Sequence, residues 1–135
     1  MTKHLLVLCL AALTLAACGG ATPEQQLKDS FVQQITSTGF ARDLQHNGDE
    51  VTFTGKRGDK ADAKWRVHLD SAAIEKDPDG KTPRKGTMKS SWFVDGEQIR
   101  PRGDQADLPL PILDAGLAQE CWAFWDKSSG KWSWK

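Results

Sequence analysis

The chain has 135 residues, with 18 basic and 18 acidic side chains and a formal net charge of zero. That balance excludes the charge footprint of a nucleic-acid-binding protein and of a polybasic membrane patch. The length suits one compact domain, and the aromatic content is skewed: six tryptophans and no tyrosine, with Trp122, Trp125, Trp132 and Trp134 gathered at the C-terminal end.

Lys3 supplies an early positive charge, Leu5 to Ala17 form an apolar run broken only by Thr14, and small residues lead into Cys18. These are the three zones of an export signal. The run falls short of the ~20 apolar residues that a membrane-spanning helix needs. Leu15-Ala16-Ala17-Cys18 resembles the lipobox of bacterial lipoproteins. The resemblance implies a cut before Cys18, a lipid joined to its sulfur and acylation of the freed amine. The expected organisation is therefore a cleaved signal peptide over 1–17, a lipidated cysteine with a short tether over 18–22, and a single domain over 23–135. The membrane is the partner that the lipid on Cys18 provides. Each buried methylene adds ~0.8 kcal/mol, and two or more chains anchor stably. Gly19, standing where an aspartate would retain the protein, implies by the same resemblance sorting to an outer membrane, with the domain facing the periplasm. Gly19 to Thr22 can extend about 14 Å at ~3.5 Å per residue, which holds the domain close to the bilayer.

Without residues 1–17 the chain keeps 118 residues, 17 basic and 18 acidic. Cys9 leaves with the signal and Cys18 is consumed by lipid, so Cys121 is the one remaining thiol and no intramolecular disulfide can form. Thr22, Pro23 and Gln25 form a capping-box start for a helix, with Leu27, Phe31, Val32 and Ile35 on one face and Gly39 placed to end it. From Asp49 the pattern changes to alternation. Val51 and Phe53, then Trp65, Val67 and Leu69, alternate with polar residues and predict two half-buried strands joined by the turn-rich stretch 55–61. Residues 76–86, with Pro78, Gly80 and Pro83, read as a polar loop. Asp95-Gly96 is a strong hairpin signal that sets Trp92 opposite Ile99. Pro109 and Pro111 break regular structure over 103–119, apart from a short helix near 112–119.

A final hairpin can be registered from its charges. A loop over 127–130 pairs Asp126 with Lys131, Trp125 with Trp132 and Ala123 with Trp134. Cys121, Ala123, Trp125, Trp132 and Trp134 then share a core face. Trp122, Phe124 and Asp126 share the other face with Lys131, Ser133 and Lys135. The sum is an α+β domain, one N-terminal helix packed on an antiparallel sheet of about six strands. In element order it resembles cystatin-like architectures, a likeness that assigns no function.

Cys121 could serve as a nucleophile with His46 or His68 as its base, but its apolar strand face favours an inert buried thiol. Asp77, Asp79 and Gly80 hint at a calcium loop that Pro78 and Lys81 spoil, which leaves an ordinary turn. His46 and His68 have no paired cysteines near them, and no metal or cofactor is expected. Arg57-Gly58-Asp59 and Arg102-Gly103-Asp104 match the integrin-recognition tripeptide, yet each also reads as turn chemistry. Trp122 and Phe124 are the leading binding residues. They form either an aromatic platform or a second core layer beneath the helix or the 103–119 segment. The expected function is a non-catalytic, membrane-anchored lipoprotein of the cell envelope that binds an envelope protein or ligand near the membrane. The alternatives are an envelope-acting hydrolase, or a carbohydrate- or peptidoglycan-binding module using Trp122 and Phe124.

Overall fold

The structure, a computed structural model, describes residues 21–100 and 108–135. The signal, Cys18 and the second Arg-Gly-Asp tripeptide lie outside these residues. Helix α1 spans Pro23–Ser37, and its start follows the sequence: the Thr22 hydroxyl accepts from the Gln25 N–H at 3.1 Å, and Pro23 occupies the first turn, where its missing N–H costs nothing. Leu27, Phe31, Val32 and Ile35 are its buried residues. Thr38 closes the helix, its hydroxyl donating to the Ile35 carbonyl at 2.6 Å, and Gly39 at φ +74° turns the chain away.

Seven strands follow: β1 Arg42–Asn47, β2 Glu50–Arg57, β3 Lys60–Lys76, β4 Pro83–Val94, β5 Glu97–Ile99, β6 Glu120–Asp126 and β7 Lys131–Trp134. They form one antiparallel sheet in the order β1-β2-β3-β4-β6-β7, with β5 sharing the β4 edge beside β6. Helix α1 packs against one face, so the molecule is α+β with a curled antiparallel sheet. Cross-strand rows build the core beneath α1. Phe53 pairs with Trp65 and Trp65 with Val94; Val51 pairs with Val67 and Val67 with Trp92. The rings interlock edge to face, with Phe31 against Trp92 at 6.5 Å and against Trp134 at 5.5 Å.

The hairpin registers hold in detail. Trp92 lies opposite Ile99, and Asp126, Trp125 and Ala123 lie opposite Lys131, Trp132 and Trp134. Elsewhere the chain departs from the expectation. Strand β1 carries few apolar residues and is mostly exposed, so alternation could not reveal it; a bulge and the left-handed Asp43 (φ +53°) distort this sheet edge. The expected loop over 76–86 shrinks to 77–82, because β3 and β4 run on past the middle of the sheet. A bulge at Asp70 makes that extension possible. Leu69 pairs with Ser90 and Ser71 with Lys89, so Asp70 is an extra residue that reverses the alternation of β3. Ala63, Trp65, Val67 and Leu69 therefore face α1 before the bulge, and Ala72 and Ile74 face it afterwards. Finally, Pro109 and Pro111 start a short helix rather than break one. Helix α2 spans Leu110–Asp114, earlier than expected, with prolines where orphan N–H groups would otherwise stand.

Candidate functional site

Strand parity decides what the face opposite α1 carries. On β4 the even residues Met88, Ser90, Trp92 and Val94 are buried toward the helix, so Lys85, Thr87 and Lys89 point the other way. On β6, Cys121 and Ala123 are buried and Trp122 and Phe124 are their outward neighbours. Thr87 pairs with Trp122 and Lys85 with Phe124. Trp122 and Phe124 are thus 42% and 41% exposed, side by side on the uncovered face. The pair forms no second core layer beneath α1, because α1 lies on the opposite side of the sheet. The Lys85 ammonium sits 5.5 Å from the Trp122 ring centre and 6.0 Å from that of Phe124, within cation–π reach of both.

The core-side residues of the same hairpin differ from the expectation in degree. Cys121, Ala123 and Trp134 are buried, but Trp125 and Trp132 are only half-buried. Their rings meet edge to face at 5.2 Å and form one wall of a groove of about 650 Å³ whose other wall is α1. Sequence parity could assign these two tryptophans to a face. It could not show that α1 stops short of covering them.

The other candidates resolve into structural roles. Cys121 is 2% exposed, and burial pushes its thiol up to about 11. Its strand partner is Met88, and His68 stands on the opposite sheet face, where its Nδ1 lies 2.7 Å from the Glu50 carboxylate. Burial opposes ionisation of Glu50, yet His68 and Arg66 together hold its carboxyl below the ordinary value. His46 Nε2 lies 2.8 Å from the Gly48 carbonyl in the β1–β2 turn. Neither histidine is placed to activate the thiol.

Asp79 accepts from the Lys81 and Thr82 backbone N–H groups at 2.8 and 3.0 Å, contacts that lower its pKa. Asp77 pairs with Lys127 at 2.8 Å. The calcium-like segment is a turn with its carboxylates engaged, and among the described residues no cluster of three potential metal ligands occurs. Arg57-Gly58-Asp59 forms the exposed β2–β3 turn. Among the described residues no helix is long and apolar enough to cross a membrane. Comparison with known protein families, curated proteins and solved structures finds no match to the chain.

Proposed function

We propose that this protein is a non-catalytic lipoprotein of the bacterial cell envelope, anchored through Cys18, that binds an envelope protein through the uncovered face of its sheet. The observation that carries the reading is the exposed Trp122–Phe124 pair with Lys85 across it. Large aromatics left open together on a sheet face suit a protein partner, since such residues are enriched at interfaces and dominate their energetics. A hydrolase built on Cys121 is disfavoured by the buried, protonated thiol. The carbohydrate-module alternative at Trp122 and Phe124 is the weaker reading there, because sugar sites are concave and this pair stands on a strand surface.

Two measurements test the proposal separately. Mass spectrometry of the mature N-terminus should show a lipidated Cys18, and an unmodified residue or a different cut removes the anchor. A photo-crosslinking residue at position 122 in the cell-bound protein should give a discrete protein adduct that the same residue at Ser37, an exposed position on α1 across the sheet, does not. Equal labelling from both positions rejects the binding face.

A further inference from the structure

The groove between α1 and the β6–β7 hairpin is built from two kinds of wall. On α1, Gln26, Asp29 and Gln33 recur at the spacing that aligns one helix flank, and all three are exposed. Facing them are Trp125 and Trp132, held edge to face at 5.2 Å. A flank destined for the core would be apolar, and a flank destined for bulk water would not confront two half-buried tryptophans. The carboxamides of Gln26 and Gln33 make no hydrogen bond among the described residues. The neighbouring polar groups are taken: Gln34 donates to the Ala115 carbonyl, Ser30 accepts from the Trp134 indole, and Asp29 accepts from Gln25.

A second observation concerns the tryptophan wall. The Trp132 indole N–H is buried and finds no acceptor among the described residues. Such a donor is costly to leave unpaired, so a shift of the Trp132 ring that opened it to the groove would let a ligand oxygen pair with it. The groove volume of about 650 Å³ lies inside the ~300–1,000 Å³ range of small-ligand clefts. Its chemistry combines aromatic faces, free carboxamides and little net charge. That selects against phosphates, polycations and purely apolar ligands, and suits the apolar ring faces and hydroxyl edges of a sugar.

We propose that this groove binds a short neutral oligosaccharide, stacked on Trp125 and Trp132 and hydrogen-bonded by Gln26 and Gln33. The site is separate from the Trp122–Phe124 face and does not depend on the lipid anchor.

The test titrates the full lipidated protein, in a detergent without a sugar headgroup, with the β-1,4-linked trisaccharides of N-acetylglucosamine and of glucose. Intrinsic tryptophan fluorescence and calorimetry are followed together. Saturable binding of at least one probe is expected, weakened about tenfold or more by Trp125→Ala, a loss of ~1.4 kcal/mol. Gln33→Ala, at an exposed helix position, should weaken binding with unchanged thermal stability, while Trp122→Ala should leave it intact. Failure of both trisaccharides to bind the folded protein at millimolar concentration overturns the proposal. So does binding that Trp122→Ala abolishes and Gln33→Ala leaves untouched.

Discussion

At the scale of single residues, one-position shifts along a strand separate opposite fates. Cys121 and Trp122 are neighbours in β6; one is 2% exposed and the other 42%. Burial raises the Cys121 thiol to about 11 by penalising the thiolate, so almost none is ionised at neutral pH. A disulfide-exchange reagent at pH 8 should therefore leave folded protein unmodified and label it at the rate of unfolding; rapid labelling of the folded state would contradict this. The linkage also has a definite sign. The folded value lies above the unfolded value near 9, so the native state holds the proton more tightly between these two values. Stability should be steady below pH 9 and fall by up to about 3 kcal/mol as pH rises toward 11. Urea titrations of wild type and Cys121→Ala across that range check it, the variant showing the shallower decline.

At the scale of elements, the fit of α1 on the sheet rests on a missing side chain. Gly86 lies in β4 directly under Leu27, and a Cβ added there would stand 2.7 Å from both Leu27 methyl carbons. The small residue lets the start of α1 settle onto β4. Gly86→Ala should push the helix outward and cost ~1–3 kcal/mol, as overpacking in a dense core does. Chemical denaturation measures the loss; a stability equal to wild type would mean that Leu27 turns aside freely. The β4–β5 hairpin depends on its turn in a comparable way. Asp95 adopts φ +49°, and its carboxylate accepts from the Lys64 N–H at 3.0 Å and from Lys60 at 3.0 Å, contacts that lower its pKa. The turn residue thereby ties the hairpin to the start of β3.

At the scale of the molecule, sequence-adjacent strands pair except that β4 reaches past β5 to β6, and a long-range closure joins α1 to the last strand. Trp134 in the last strand packs edge to face on Phe31 and donates its indole N–H to Ser30 at 3.0 Å. Charge is balanced and dispersed, but several carboxylates are better held in the fold than in the open chain. Asp49 is lowered by its hydrogen bond from Lys28, and Asp79 and Asp126 by hydrogen bonds within their turns. Each folded value lies below the unfolded one, so the stability these groups add is complete above about pH 4 and is lost as pH falls through the folded values. Thermal midpoints should be flat from pH 5 to 8 and decline below about 4. Lys28→Met should flatten part of that decline, because it removes the partner that lowers Asp49; a decline identical in the variant would assign it to the other carboxylates.

The sequence by itself determined whatever depends on neighbours along the chain. The cap at Thr22, the buried stripe of α1, the two hairpin registers and the split of β6 into a Cys121 face and a Trp122 face are all local, set by side-chain period and turn chemistry. Only the tertiary structure decided which sheet face α1 covers and how far. Strand period names two faces without saying which one meets the helix. It hides a polar edge strand such as β1, and it fails across the bulge at Asp70, where one extra residue reverses the parity of β3. That placement is why Trp122 and Phe124 stand open, and why Trp125 and Trp132, core residues by alternation, line a groove instead.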